Sequence, residues 1–334
     1  MAHSPVKVEK LAAHAAAVLE GEIVLPNLMT KRGYEDFRGA LGDTVTVRVP
    51  GVLPARTYGW RNDRTNAIET DEYSETKVTV EIGDNIYSAV NMTDEQAELD
   101  FSGYAALINS QVQGVGRGIE GLAADAVASA PYEVSLGVAE GEEHAGFVEA
   151  RRVLNVLRAP AEQRIMLVGS TFEAALLNND KFNRADSVGD GAANSALRQA
   201  SIRNWMGFTV VASTQIDPDA AYAFVPSAFV FLSAAPATPA SVPFGASASH
   251  NGISLRWVRD YDAMHMQDRS VVNTWAGFNY TTDRVVGKSV ADGETNVTTE
   301  THLVRAIKLE LNGTSQYPTG DLADVTGLTD PASS

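Results

Sequence analysis

Residues 93–126, TDEQAELDFSGYAALINSQVQGVGRGIEGLAADA, decide the fold. Thr93 and Gln96 have the spacing of a capping box, which predicts the start of a helix. Four acids follow, at Asp94, Glu95, Glu98 and Asp100, where negative charge complements the positive end of the helix dipole. Apolar residues then recur at steps of three and four, which predicts one amphipathic helix of about nine turns. That length is unusual for a globular domain, whose helices average about 11–12 residues.

Four glycines interrupt the second half of this helix, at Gly114, Gly116, Gly118 and Gly121. Each is expected to cost about 1 kcal/mol relative to alanine, so we expect the helix to bend within 114–121. Three of them also form the Gly-x-Gly-x-x-Gly pattern of dinucleotide-binding loops. That pattern holds a pyrophosphate only where a strand turns into a helix, and no strand precedes it here. A glycine-weakened helix is therefore the favoured interpretation.

A long loop precedes the helix, between two predicted strands. Apolar residues alternate over 44–49 and again over 76–82, with the two-residue period of β-strands. The connection over 50–75 is far longer than the usual hairpin loop of about 2–5 residues. A loop of this length is normally functional or disordered.

The two limbs of this loop carry opposite charges. The outgoing limb contains Arg48, Arg56, Arg61 and Arg64, and the return limb contains Glu69, Asp71, Glu72, Glu75, Glu81 and Asp84. The limbs could neutralise each other within one hairpin, where exposed ion pairs contribute only about 0–1 kcal/mol each. The other interpretation is that the arginines reach a second molecule.

After Pro131 the pattern changes to short alternating elements, which is typical of an α/β region. Helices are predicted over 145–158 and from Ser170 onward, and strands over 165–168, 207–213, 221–233, 253–259, 271–280 and 303–311. A segment rich in proline and alanine at 233–245 indicates a domain boundary.

The composition argues against several classes of protein. The chain has 42 acidic and 26 basic residues, and its net charge of −16 disfavours a direct reader of nucleic acid. It has no cysteine, so disulfides and thiolate metal sites are excluded. We find neither a signal peptide nor the roughly 18 consecutive apolar residues of a membrane span, and we expect a soluble, cytoplasmically made product.

The sequence contains no convincing catalytic constellation. The six histidines never have the helical spacing of metal ligands, and neither a serine elbow nor a phosphate loop is present. The pairs Asp217-x-Asp219 and Asp260-x-Asp262 could offer carboxylates to a cation, but solvated turns are favoured. We expect no catalytic residue, cofactor or metal. A soluble α/β enzyme with its site in 136–245 is the alternative from another class.

Taken in order, these elements resemble the major capsid proteins of tailed bacteriophages over most of residues 1–285. The resemblance rests on LPNLMTKRGYEDFRGALGDTVTVRVPG (25–51), on TKVTVEIGDNIYSAVNMTDEQAELD (76–100) and on the long helix. Local echoes are Gly42–Val45, RQASIRNWMG (198–207) and GISLRWVRDYD (252–262). The branch that it resembles most is that of the coat proteins of short-tailed enterobacterial phages.

The resemblance implies an α+β fold, the tailed-phage major capsid protein fold. Its parts would be an N-terminal arm (1–44), an extended loop with flanking strands (45–92), the spine helix of a peripheral domain (93–135), an axial domain (136–245), peripheral strands (246–285) and a C-terminal extension (286–334). The last part departs from the family pattern, and two roles are left open for it: to complete a sheet or to touch a neighbouring subunit.

The implied function is that of a non-enzymatic subunit that self-assembles into the icosahedral shell around the double-stranded DNA of a tailed phage. The implied location is the virion capsid, assembled in the host cytoplasm. The implied partners are further copies as pentamers and hexamers, a separate scaffolding protein and the portal protein, with a decoration protein left open. Packaged DNA would meet the inner surface without specificity, and no membrane is involved. The alternative within the structural class is an encapsulin-like nanocompartment shell.

Within such a shell the loop and the acidic helix start become candidate interface residues. We expect Arg56, Trp60, Arg61 and Arg64 of one copy to meet Asp94, Glu95, Glu98 and Asp100 of a neighbour. Many weak contacts of this kind could set the shell geometry through multivalency.

Overall fold

A computed structural model describes residues 8–32, 44–58, 67–94, 104–179, 204–242, 244–289 and 295–330. The described chain is a mixed α+β structure with two compact units. Unit 1 draws on Met1–Thr46, Thr79–Ala126 and Phe229–Asn279, and unit 2 draws on Val47–Val78, Val127–Ala228 and Tyr280–Ser334. Each unit is therefore built from three separate segments of the chain.

The helices are α1 (Val8–Glu22), α2 (Tyr104–Ala128), α3 (Glu143–Val156), α4 (Ser170–Asn178) and α5 (Asp321–Thr326), with short 3-10 turns at Leu25–Leu28 and Pro226–Ala228. The strands of the first half are β1 (Thr30–Arg32), β2 (Thr44–Val49), β3 (Thr76–Glu81), β4 (Asp84–Thr93), β5 (Ser135–Val138) and β6 (Ile165–Val168). The strands of the second half are β7 (Asn204–Trp205), β8 (Phe208–Ala212), β9 (Ala220–Phe224), β10 (Phe229–Ala234), β11 (Phe244–His250), β12 (Ile253–Asp262), β13 (Gln267–Tyr280), β14 (Val286–Ser289), β15 (Thr295–Val297) and β16 (Ala306–Leu311).

Unit 1 is organised around the long strand β13. The sheet runs β1-β10-β13-β12-β11, and β4 also pairs with β13, antiparallel, from Gln267↔Thr93 to Ala276↔Asp84. The long helix α2 lies on this sheet, because the Gln111 side-chain amide donates to the backbone oxygens of Ser88 on β4 (3.1 Å) and Ser270 on β13 (2.9 Å). Its buried face includes Ile108, Val112, Val115, Ile119 and Ala123. The apolar face that the sequence predicted for the helix therefore packs on one sheet.

The N-terminal segment belongs to the core of unit 1. Helix α1 packs against β11 and β12 and buries Ala12, Ala15, Ala16 and Leu19 completely. Strand β1 then pairs in parallel with β10. Because alanine side chains are small, α1 can lie close to the sheet. This close packing buries a helix that is only weakly apolar in sequence. The predicted arm residues 33–43 lie outside the described residues.

A buried carboxylate connects this segment to α2. Glu120 accepts hydrogen bonds from the backbone N–H groups of Val24 and Leu25, the latter at 3.0 Å. Burial raises the pKa of Glu120, while the two backbone hydrogen bonds act in the opposite direction. The residue therefore caps the 3-10 turn Leu25–Leu28 from the side of the long helix.

Unit 2 contains a second six-stranded sheet, in the order β5-β16-β9-β6-β8-β7. Strand β16 lies between β5, to which it is parallel, and β9, to which it is antiparallel. Its residues Ala306, Ile307 and Leu309 are fully buried. The C-terminal extension, residues 303–311 included, thus completes the interior of this sheet, which is one of the two roles left open for it.

The predicted strand at 221–233 is two strands in two different sheets. Strand β9 ends at Phe224, the turn Pro226–Ala228 follows, and β10 begins at Phe229 in the sheet of unit 1. The chain therefore passes between units near residue 228, and the proline- and alanine-rich segment 233–245 leads within unit 1 toward β11. A continuous apolar run hides the crossing, because both strands are buried on all faces.

The glycines of α2 have different surroundings. The helix is continuous from Tyr104 to Ala128, and the predicted bend stays a prediction. A Cβ atom on Gly118 would lie 2.8 Å from Cγ2 of Ile86 on β4, whereas one on Gly114 would be 3.8 Å from Oγ of Ser88. Gly121 has nothing within 4 Å of that position, and Gly116 is buried. Close packing therefore requires glycine at position 118 and not at 121.

We predict that Gly121→Ala raises the free energy of unfolding by about 1 kcal/mol, because alanine has the higher helix propensity and meets no obstacle. Gly118→Ala should lower it, because Ile86 is β-branched and must move. Urea denaturation of both variants measures the difference. Equal stabilisation by both substitutions would contradict close packing at Gly118.

The raised pKa of Glu120 predicts a dependence of stability on pH. The contribution of the protonated carboxyl is greatest below the ordinary glutamate pKa of about 4.3 and is lost as the pH rises through the raised pKa. Glu120→Gln keeps an oxygen acceptor without the charge, so it should be at least as stable as the parent chain at pH 7. Glu120→Leu, which leaves two amides unsatisfied, should lose about 1–3 kcal/mol. Urea titrations from pH 4 to 8 test both, and a Gln variant as unstable as the Leu variant would refute the assignment.

Candidate assembly surfaces

The two limbs of the extended loop lie against each other in the described residues. Strands β2 and β3 pair as a two-stranded sheet at the base of the loop. Further along, the backbone N–H of Gly51 donates to the hydroxyl of Tyr73 at 3.2 Å. A Cβ atom at Gly51 would be only 2.1 Å from the backbone oxygen of Ser74, so the limbs approach closely there and glycine is required. The loop is a paired hairpin at its base.

Arg56 closes the hairpin with the return limb of its own loop. Its guanidinium contacts the carboxylate of Glu69 and forms a bidentate pair with Asp71, with Nη2 to Oδ1 at 3.0 Å and Nε to Oδ2 at 3.3 Å. The hydrogen bond from Arg56 lowers the pKa of Asp71. The first interpretation of the charge pattern, neutralisation within one hairpin, therefore describes Arg56. Trp60, Arg61 and Arg64 lie outside the described residues.

The acidic start of the long helix is described only at Asp94. Its Oδ2 accepts a hydrogen bond from the hydroxyl of Tyr261 at 3.0 Å, which links the end of β4 to β12. Glu95, Glu98 and Asp100 lie outside the described residues. The pairing of these acids with arginines of a neighbouring copy stays a prediction.

The loop exposes large apolar side chains that the charge pattern did not single out. Ile68 is 72% exposed, Tyr73 is 55% exposed and Leu53 is 48% exposed. Side chains of this size on a segment without a core of its own are candidates for contact with another molecule. These apolar residues are visible in the sequence, but the many charged residues around them make the charge pattern more prominent.

A second exposed apolar feature is the turn between β12 and β13. Met264 is 89% exposed and Met266 is 69% exposed, and Met266 has a left-handed backbone conformation with φ of 50°. Below the turn, Arg269 pairs with Asp260, and Arg259 pairs with Asp268. These cross-strand ion pairs hold the hairpin that carries the two methionines.

Three of the four carboxylates in the two candidate cation pairs, Asp217, Asp260 and Asp262, have structural hydrogen bonds. Asp260 bonds Arg269, and Asp262 accepts from the backbone N–H of Met264 at 3.0 Å and contacts His265 at 2.8 Å. The hydrogen bond from His265 lowers the pKa of Asp262. Asp217 accepts from the backbone N–H of its neighbour Asp219 at 3.0 Å. Within the described ranges, no group of three histidine, aspartate or glutamate side chains could hold a metal ion.

Residues 136–245, where the alternative enzyme hypothesis places its site, include a buried carboxylate, Glu143, at 1% exposure. It accepts hydrogen bonds from the backbone N–H of Gly141 at 2.6 Å and from the side-chain amide of Asn179 at 2.5 Å. Buried Arg164 donates to the backbone oxygens of Pro160 and Ala159 at 2.9 Å each. Both groups satisfy local backbone and amide partners, so each has a structural role.

None of the helices in the described part of the chain is both long enough and apolar enough to cross a bilayer. No protein-family model matches the sequence, and no curated protein matches it.

Solved structures of low sequence identity match most of the chain. The capsid structure of the cyanophage P-SCSP1u is 12% identical, with a TM-score of 0.61 over 87% of this chain and 89% of that one. A structure from Mycobacterium phage Che8 is 17% identical, with a TM-score of 0.57 over 86% of this chain and 90% of that one. The mature capsid of bacteriophage PhiM1 is 11% identical, with a TM-score of 0.57 over 87% and 88% of the two chains. The expected fold is thereby confirmed: this chain has the α+β fold of the tailed-phage major capsid proteins.

Proposed function

We propose that the chain is a structural subunit that assembles with copies of itself into the icosahedral shell of a tailed phage. The observation that carries this proposal is the match to phage capsid structures along 86–87% of the chain. The exposed apolar side chains of the loop and of the β12–β13 turn support it, because a solitary subunit has no use for them.

We further propose a role in the shell for each part of the chain. Unit 1, with the spine helix α2 and the strand β13, corresponds to the peripheral domain, and unit 2, with the β16 sheet, corresponds to the axial domain. The hairpin of residues 50–75 is the extended loop that lies over a neighbouring subunit. The loop supports this role because it carries the exposed side chains Ile68 and Tyr73.

The finer affiliation and the partners also belong to this proposal. The sequence echoes at 42–45, 198–207 and 252–262 support the coat proteins of short-tailed enterobacterial phages as relatives. The copies would form pentamers and hexamers in the host cytoplasm, with a separate scaffolding protein and a portal protein. The inner surface would meet packaged double-stranded DNA without sequence preference, which suits a chain of net charge −16 that has little attraction for phosphates. Catalysis has no place in this function.

The proposal predicts large hollow particles. The chain, produced alone and together with the scaffolding protein of its own phage, should sediment far faster than a 35.6 kDa monomer in at least one of the two preparations. Negative-stain electron microscopy of the fast fraction should show polyhedral shells. A folded chain that remains a small globule in both preparations would contradict the proposed function.

The interface hypothesis predicts an effect of charge reversal near the loop tip. Because Arg56 is engaged with Glu69 and Asp71, the informative change is Arg61→Glu with Arg64→Glu, which leaves that contact intact. The double variant should fold normally and give fewer shells, since each weak contact recurs in every copy. Shell yield measured by sedimentation at low and high salt provides the test.

A matched control is Arg56→Glu, which should disturb the loop itself by placing three acids together. Reversal of the helix acids, with Glu95→Lys and Glu98→Lys in the same chain, should restore the yield of the double variant. Full assembly of the Arg61→Glu/Arg64→Glu variant at low salt would contradict the proposed pairing.

A further inference from the structure

The outgoing limb of the loop is attached to the C-terminal part of the chain. The backbone N–H of Ala55 donates to the hydroxyl oxygen of Thr295 at 2.5 Å. In return, the backbone N–H of Thr295 donates to the backbone oxygen of Ala55 at 3.0 Å. Two reciprocal hydrogen bonds therefore join residues 240 positions apart. Both residues belong to unit 2.

Thr295 begins β15, which pairs antiparallel with β14 through Val286↔Val297 and Ser289↔Thr295. The base of this hairpin is closed by Thr298, which is 1% exposed. Its hydroxyl accepts from the backbone N–H of Val285 at 2.9 Å, and its own N–H donates to the backbone oxygen of Val285 at 3.0 Å. The hairpin is thus fixed where it leaves the body of unit 2.

Helix α5 holds the same hairpin from a second side. The carboxylate of Asp321 accepts from the N–H and the hydroxyl of Thr299, at 2.6 and 2.9 Å, and from the N–H of Glu300 at 3.2 Å. On β14, a Cβ atom at Gly287 would lie 2.3 Å from the backbone oxygen of Val325, so α5 packs directly on the strand. Two independent anchors make the hairpin a firm support.

The loop also faces this support across open space. A cleft of about 330 Å³ separates the two, with Leu53, Arg56 and Asp71 on the loop side and Arg284 and Asn296 on the other. Beside this cleft, the two hydrogen bonds between Ala55 and Thr295 join the loop directly to the hairpin. A hairpin without a core of its own takes its direction from such links at its base.

We propose that the β14–β15 hairpin is a bracket that fixes the direction in which the extended loop leaves unit 2, with Thr295 as the positioning residue. This inference rests on the proposed function, because the loop so held is the one that would meet a second copy of the chain. It gives the segment 286–297, which departs from the family pattern, a task in assembly. The segment works by holding the loop of its own subunit before any neighbour arrives.

The first test measures the loop in the unassembled subunit by amide hydrogen exchange. Thr295→Val removes the hydroxyl acceptor and keeps the β-branched shape, so the Ala55 amide should exchange about fivefold faster. Thr295→Ser restores an acceptor and should return the exchange to the parent rate. Thr301→Val, at an exposed threonine of the same segment that does not line the cleft, is the matched control and should change nothing.

A stronger variant replaces residues 287–296 with Asn-Gly, which joins the cross-strand partners Val286 and Val297 by a two-residue turn. It removes Thr295 and keeps the anchor at Thr298. Exchange across 52–58 should rise at least fivefold, and shells should be fewer or irregular in size by sedimentation and electron microscopy.

Unchanged exchange at Ala55 in both variants would overturn the bracket. Closed shells of normal size and yield from the shortened chain would also overturn it, because the loop would then reach its correct position without the hairpin. If the parent chain itself formed no shells, the proposed function would fail, and the exchange data alone would decide whether the hairpin holds the loop.

Discussion

Both six-stranded sheets depend on pairing between strands that lie far apart in the sequence. In unit 2, β16 reaches the interior of the sheet and pairs with β5, from Lys308↔Ser135 to Leu311↔Val138. In unit 1, β13 pairs with β4 along ten consecutive residue pairs and carries β12 and β10 on its other side. Neither sheet is complete until most of the chain has been made, and contacts of such long range fold slowly. In the described residues, the loop limbs 50–58 and 67–75 lie outside both six-stranded sheets and expose Leu53, Ile68 and Tyr73 to contact with another molecule.

The sequence revealed the elements that have a clear local period. The alternation at β2 and β3 and the apolar face of α2 predicted their structures, and the length of the loop followed from the distance between them. It could not reveal partners that depend on the tertiary fold. Nothing local to Ala306–Leu311 shows that the strand lies between β5 and β9, and the continuous apolar run through Phe224 and Phe229 conceals a change of sheet.

The same limit applies to the candidate site residues. The charge pattern predicted that Arg56 meets acids, but only the paired limbs show that these are Glu69 and Asp71 of its own loop. The burial of α1 was missed because alanines give a weak apolar signal, although they suit close packing on β11. Thr295 could not be recognised at all, since a half-buried threonine becomes informative only once Ala55 lies beside it.

The most direct measurement is a cryo-electron microscopy reconstruction of the assembled particle. The account predicts a closed shell with fivefold and sixfold clusters, in which the loop of one copy lies on a neighbouring copy and remains joined to its own β14–β15 hairpin. A particle whose loops all face solvent, or a chain that forms no closed shell, would contradict it.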